Sequence, residues 1–319
     1  MAVCTLDGST ASLAALFANK GADGQISLRE AILAANNTVG TDTIRFKIGT
    51  GAQTITLASV LPTITGAIVI DGTTQVGYQA IGTATPFLPI ILDGNGFGGG
   101  VNGLLTLGAG SSGSTIQGLV IRDFNGRGIF VQSSSNVIRG NFIGQYTNSG
   151  TNAGAALRNT DVGIELNGGS LNTVGGALAS QRNVIGGNLI GVGVVNATFN
   201  TVQGNYIGTD ITGTVAIGNL TDGMTLVSGA LSNTITGNII SASGLNGIDV
   251  GALGVNTSNF ITSNLIGTDV TGTLNLGNAS HGIAVGNGGT ASSTSIGGVG
   301  LGNFANCWHH CLCHPGHLP

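Results

Sequence analysis

Charge is scarce in this chain, and the scarcity excludes a good deal. Nine Lys and Arg residues are scattered through 319 positions and the net charge is −4, whereas a nucleic-acid groove needs clustered cations to neutralise phosphates. No apolar run approaches the roughly 18 residues of a membrane span. The stretch "LAALFA" from Leu13 is too short, and with no basic residue before it no secretory signal is expected. Cys4 stands alone, and Cys307, Cys311 and Cys313 cluster at the end, so no disulfide framework runs through a fold. Aromatic residues make up 4%, and no window carries a 3.6-residue apolar stripe of good helix formers, which excludes helical repeats. Low charge with 58 glycines would suit a disordered tract, but 41% of the residues are hydrophobic, many of them Ile, Val and Leu, so the chain should fold.

What is present is repetition. "GNYIGTDITGTVAIGN" at 204–219 returns as "SNLIGTDVTGTLNLGN" at 263–278. A glycine, an apolar residue, a variable residue and a second apolar residue recur from Gly128, Gly163, Gly191, Gly223, Gly247 and Gly282. That alternation marks a strand with one buried face. Asparagines follow at Asn136, Asn172, Asn200, Asn233 and Asn259, and a further line, "NVIGGNLIG", opens at Asn183. The glycines lie 35, 28, 32, 24 and 35 residues apart, which fits coils of roughly 20 to 25 residues with loops of varying length. A β-propeller would show longer strands and aromatic blade motifs. The pattern predicts an all-β chain: a single-stranded right-handed parallel β-helix over about 51–303, after a cap segment (1–50) and before an atypical tail (304–319).

The quoted repeats, with "IVIDGTTQVGY" from Ile68, resemble those of bacterial right-handed parallel β-helix proteins of the pectin-lyase-like superfamily. Many of these begin with a segment written Cys-Ser-Leu-Arg-Glu-Ala; here it reads "ISLREAILAANN", with Ile26 in place of the cysteine. The resemblance runs from about residue 25 to 298 and implies the fold more than an activity. Within it, Ser27 and Glu30 have the spacing of a capping box. Leu28, Ile32 and Ala35 share one face of a short α-helix near 27–36, which would close the open end of the solenoid.

The asparagines should stack and hydrogen-bond along the axis. Phe142, Leu189, Tyr206, Ile239 and Leu265 follow the second asparagine of each line and form a packing column or, less favoured, a sugar-stacking platform. Asp210 and Asp269, in "GTDITGT" and "GTDVTGT", are calcium candidates, but one carboxylate per loop falls short of six to eight oxygen ligands, and Asx or Thr turns account for the same residues. The variable strand residue should face outward, giving a column of Phe130, Glu165, Gly193, Thr225, Asp249 and Ala284. Its two acids would lie about 14 Å apart, three coils of about 4.8 Å, beyond the separation of about 5 to 9.5 Å in a glycosidase pair. Asp161 near Glu165 offers another pair, and "IRDFNGRG" gathers Arg122, Asp123 and Arg127, which would resemble the lyase chemistry of the superfamily if they converged. In the tail, Cys307, Cys311, Cys313 and His314, with His310 and His317, could hold zinc, but the spacing lacks two separated knuckles and the change of composition points to a frame change, truncation or junction.

These readings predict a non-catalytic structural or adhesive module of a bacterial surface or secreted protein, with no cofactor required, presenting a long face to polysaccharide or another surface protein. End-to-end or edge association through the last coils is a further expectation. The competing expectation is a polysaccharide lyase, hydrolase or epimerase built around Arg122, Asp161, Glu165 or Asp249. An enzyme should bring two acids and a base within a few ångströms.

Overall fold

The computed structural model describes residues 7–251, 253–286, 288–297 and 302–305. Its strands form three long parallel sheets along a right-handed β-helix, with a fourth, two-stranded parallel sheet of Val255–Thr257 and Thr290–Ser292. Sheet A stacks nine strands from Asp42–Arg45 to Ser295–Ile296, sheet B nine from Gln53–Thr56 to Phe304–Ala305, and sheet C seven from Gly98–Leu107 to Ile283–Val285. Each coil visits A, B and C in turn, and every strand pairs with its counterpart one coil away. The first strand, Asp42–Arg45, lies within the segment expected to be cap, so the stack begins earlier than residue 51.

Two helices precede it, α1 (Leu13–Ala18) and α2 (Leu28–Asn36). Helix α2 carries the full capping box: the Ser27 hydroxyl accepts the Glu30 amide, and Glu30 accepts the Ser27 amide. It covers the otherwise open end of the stack, with Asn36 accepting the Thr65 amide and donating to the Thr63 carbonyl. Helix α1 has no counterpart among the sequence expectations; Ser12 caps it, and a six-residue helix is too short to show a periodic apolar stripe.

Isoleucine, valine and leucine fill the interior, one coil above another: Ile138, Val174, Val202, Ile235 and Ile261 from sheet A face Ile143, Ile185, Ile207, Ile240 and Ile266 from sheet B. The recurring leading glycine is required by stacking. A Cβ on Gly128, Gly163, Gly191, Gly223 or Gly247 would stand 2.5 to 2.7 Å from the carbonyl oxygen of the equivalent glycine one coil on, closer than packed atoms tolerate.

Three asparagine ladders hold the corners. Before sheet A, Asn136, Asn172, Asn200, Asn233 and Asn259 each pass a side-chain hydrogen bond to the next. Before sheet B the chain is Asn141, Asn183, Asn205, Asn238, Asn264 and Asn303. Before sheet C it is Asn159, Asn188 and Asn219. A residue with positive φ precedes each asparagine of the first ladder: Ser135, Leu171, Phe199, Ser232 and Ser258, with φ between 56° and 60° for the first three. This left-handed residue turns the corner, which is unusual for bulky side chains such as leucine and phenylalanine.

Candidate functional site

The three outer faces differ. That of sheet B is covered. Phe142, Val184, Tyr206, Ile239 and Leu265 stand in register along it, under Leu88, Tyr146, Ile211 and Ile217. This corrects the expected column: Val184 occupies the place given to Leu189, because Asn183 belongs to the second ladder and Asn188 to the third. The five residues are packing, not an exposed sugar platform.

The cover is what the doubled sequence line builds. Thr209 bridges Ala216 and Thr268 bridges Asn275, each closing a small antiparallel flap, and Tyr146 bridges Asn152 in a third copy. The flaps stack, with the Ile211 amide donating to the Gly150 carbonyl and Val270 to Gly213, each at 3.0 Å. Residues 144–152 escape notice as a repeat because Tyr146 and Thr147 stand where the later copies have threonine and aspartate, at Thr209 and Asp210 and at Thr268 and Asp269, and the turn differs in length.

Both calcium candidates are turn formers. The Asp210 carboxylate accepts the Thr212 hydroxyl at 2.7 Å and the Val215 amide at 3.2 Å; Asp269 accepts the Thr271 hydroxyl at 2.8 Å and the amides of Thr273 and Leu274 at 3.1 and 3.0 Å. Burial acts to raise the Asp269 pKa, and these donors outweigh it and leave the group below the ordinary aspartate value. Donors facing the oxygens are the opposite of what a cation needs around it. The proposed zinc ligands Cys307, Cys311, Cys313 and His314 lie outside the described residues. Among the described residues no three His, Cys, Asp or Glu side chains gather around a metal-sized space, and no helix is long and apolar enough to cross a membrane.

Sheet C carries the charged column in the expected register, Phe130, Glu165, Gly193, Thr225, Asp249 and Ala284. Glu165 and Asp249 are three coils apart, as the spacing required. The expected exposure is not found: Phe130, Glu165 and Asp249 are 5%, 4% and 4% exposed. Arg127 lies over this end of the face. Its Nε donates to Glu165 at 2.5 Å, its NH1 is 3.7 Å from Asp161, and its guanidinium stacks 4.7 Å from the centre of the Phe130 ring. Asn167 donates to the other Glu165 oxygen at 2.8 Å.

Arg122 goes elsewhere. "IRDFNGRG" turns the corner from sheet B to sheet C, so Arg122 ends a strand of B and Arg127 lies in a strand of C. The sequence cluster is therefore split into two spatial ones. Arg122 Nε donates to Asp93 at 3.1 Å and its NH1 to the Tyr146 carbonyl at 3.3 Å. Beside them the Asp123 amide donates to the Leu157 carbonyl at 3.0 Å. Burial raises the Asp123 pKa, the neighbouring Asp93 raises it further, and Arg122 works against them. Sequence reasoning missed Asp93, which is 29 residues from Arg122 and joined to it only by stacking.

Sheet A is open. Thr173, Thr201 and Thr234 run along one outward column and Gln203, Thr236 and Thr262 along the other, all six half-buried. A cavity of about 180 Å³ at the N-terminal end is lined by Leu13, Leu16, Phe17, Leu28 and Phe46 among others, and by none of the charged candidates.

No protein-family model and no curated protein matches the chain. Among solved structures it is similar to an alginate lyase from Paenibacillus sp. str. FPU-7, with 15% identity over 83% of this chain and 95% of that one and a TM-score of 0.45. It is similar to the Dettilon tailspike protein, with 13% identity over 86% and 58% of the two chains and a TM-score of 0.39. It is also similar to the A-module of the mannuronan C-5 epimerase AlgE6 of Azotobacter vinelandii, with 17% identity over 88% and 91% and a TM-score of 0.32. The likeness is one of coiled architecture, which the strand pairing of this chain establishes by itself.

Proposed function

We propose that this chain is a non-catalytic, extracellular or cell-surface β-helix module of bacterial origin that binds a neutral stretch of polysaccharide along the outer face of sheet A. The observation that carries the reading is the open face of Thr173, Thr201, Thr234, Gln203, Thr236 and Thr262, a regular and uncharged array of hydroxyls and amides. Sugar hydroxyls are matched by such groups, and fixing them on rigid parallel strands about 4.8 Å apart removes the cost of ordering them at binding. Sheet B is closed by its flaps, and on sheet C Glu165 is held by Arg127 and Asn167.

The test is retention of the full chain on a panel of immobilised polysaccharides, comparing wild type with Thr201→Arg and Thr234→Arg. Loss of retention of at least about tenfold in both variants supports the face. Unchanged retention in both, or no retention of wild type, overturns the reading.

One observation favours an enzyme: Arg127 brings Asp161 and Glu165 together, the two acids and a base that turnover would need. On that reading the chain is a polysaccharide lyase, hydrolase or epimerase acting on sheet C. Release of reducing or unsaturated ends from acidic polysaccharides, abolished by Glu165→Gln, would establish it.

A further inference from the structure

Two phenylalanines frame the open part of sheet A. Thr173, Thr201, Thr234 and Phe260 follow one another along the same outward column, one coil apart. Phe260 therefore occupies the place that threonine holds in the three coils before it, and it is 47% exposed. Phe199 stands two residues before Thr201, at the corner that leads into the sheet, and is 57% exposed. Both sit on fixed backbone. The Phe199 amide donates to the Leu231 carbonyl at 3.1 Å and the Phe260 amide to the Asn233 carbonyl at 2.8 Å. Each is also the chain neighbour of a ladder asparagine, Asn200 or Asn259.

Core packing explains neither residue. In the corner column of Ser135, Leu171, Phe199, Ser232, Ser258 and Ser293, every φ lies between 53° and 60°. A bulky side chain in that left-handed region is strained, and Phe199 gains no burial in exchange. Leu171, one coil before it, is likewise exposed. The surroundings are uncharged: residues 194–207, 227–241 and 255–268 include no Asp, Glu, Lys, Arg or His. Exposed aromatic rings set among hydroxyls suit a ligand that is apolar on its face and hydroxylated at its rim, and a pyranose ring is such a ligand.

We propose that Phe199 and Phe260 are the ring-stacking residues of this face, and that they select an extended, neutral, β-1,4-linked chain of pyranoses lying along the solenoid axis. Spacing carries the selectivity. Phe199 and Phe260 lie two coils apart, about 10 Å by strand spacing, close to the advance of one disaccharide in an extended β-1,4-linked chain. The two rings then meet every second sugar, whose apolar faces point the same way, while the hydroxyls of Thr201 and Thr234 meet sugar hydroxyls between them. An α-1,4-linked chain coils and loses that register, and an acidic chain finds no cation in these stretches. The inference rests on the binding reading given above and names the ligand class that the face takes.

The experiment is calorimetric titration of the full chain with the hexasaccharides of β-1,4-linked glucose, mannose and xylose and, for contrast, of α-1,4-linked glucose. Wild type is compared with Phe199→Ser, Phe260→Thr and Thr201→Arg. Serine and threonine are what the same columns carry on other coils, so both phenylalanine variants should melt no lower than wild type. Phe199→Tyr and Phe260→Tyr, which keep the ring, should keep binding. At least one β-linked hexasaccharide should bind at least about tenfold more tightly than the α-linked one, and lose at least about fivefold in each of Phe199→Ser and Phe260→Thr. A smaller loss in either variant overturns the stacking; if Thr201→Arg still loses binding, the sheet A reading stands without it. No binding of any β-linked hexasaccharide, or equal binding of the α-linked one, overturns the ligand class, and retention on the polysaccharide panel then decides the sheet A reading separately. If a variant does not fold, phenylalanine ring NMR of wild type decides: the bound hexasaccharide must shift the Phe199 and Phe260 signals, and unchanged signals overturn the proposal.

Discussion

The Asn200 side chain donates to the Asn233 carboxamide oxygen at 3.0 Å, and the same oxygen accepts the Asn200 backbone amide at 2.9 Å. From Asn172 to Asn259 each oxygen of this ladder thus satisfies two buried donors from the coil before it, and the nitrogens also reach backbone carbonyls, as Asn200 does with Gly169 at 3.1 Å. Truncation costs more than one hydrogen bond.

Asn200→Ala should leave two donors of Asn172 unpaired, its backbone amide and the side-chain N–H that does not reach the Ser133 carbonyl. At about 1 to 3 kcal/mol per buried unsatisfied group, a loss of about 2 to 6 kcal/mol is expected by urea unfolding. A loss below about 1 kcal/mol would show the ladder to be ornamental to stability.

Ser243 interrupts the third ladder. Its hydroxyl and the Asn219 side-chain nitrogen are both buried without a hydrogen-bond partner, because serine is too short to span one coil. Its Oγ sits 3.0 Å from a Cβ built on Gly223, the place that Asn188 and Asn219 nitrogens hold against Gly163 and Gly191. Ser243→Asn should therefore join Asn219 to Asn278 and stabilise the chain by about 1 to 2 kcal/mol. Unfolding at a lower urea concentration than wild type would contradict this.

Two glycines of one strand should respond oppositely. A Cβ on Gly191 meets the Gly223 oxygen at 2.5 Å, whereas on Gly193 the nearest atoms, from Val162, Glu165 and Thr225, are at 3.4 to 3.7 Å. Gly191→Ala should lose about 1 to 3 kcal/mol, and Gly193→Ala should stay within about 0.5 kcal/mol of wild type or gain slightly. Paired thermal melts distinguish them.

Glu30 ties the N-terminal cap together. It accepts the amides of Asp7, Gly8 and Ser27 at 2.9, 2.6 and 2.8 Å. Burial acts to raise its pKa, and these bonds outweigh it, leaving the group below the ordinary glutamate value. A lowered folded pKa gives stability that is present above the unfolded value and lost as pH falls through the folded one. Amide exchange at Gly8 and Ser27 should accelerate on acidification relative to the mid-stack strands, and Glu30→Gln should remove that difference. Uniform protection along the chain at low pH would refute it.

Filling the two flap turns with metal should be impossible, since Asp210 and Asp269 already face hydroxyl and amide donors. Calcium at millimolar concentration, or its chelation, is expected to leave the melting temperature unchanged. A calcium-dependent rise abolished by Asp269→Asn would overturn that assignment.

Periodicity is legible without coordinates because each coil must repeat the constraints of its neighbours: an inward aliphatic every second residue, a glycine where strands cross closely, an asparagine at the corner. From these the coil architecture, the helix after Ser27 and the outward register from Phe130 to Ala284 follow. What lies over each face is not written locally, since cover comes from loops whose lengths vary and whose packing is decided across coils. Thus Glu165, expected in the open, lies under Arg127, and Val184 fills the column place expected for Leu189. Asp93 is invisible in the sequence as the partner of Arg122. Local pattern determines which residues recur at a corner; only stacking brings residues on separate coils into contact, and the charged pairs described above are made by stacking.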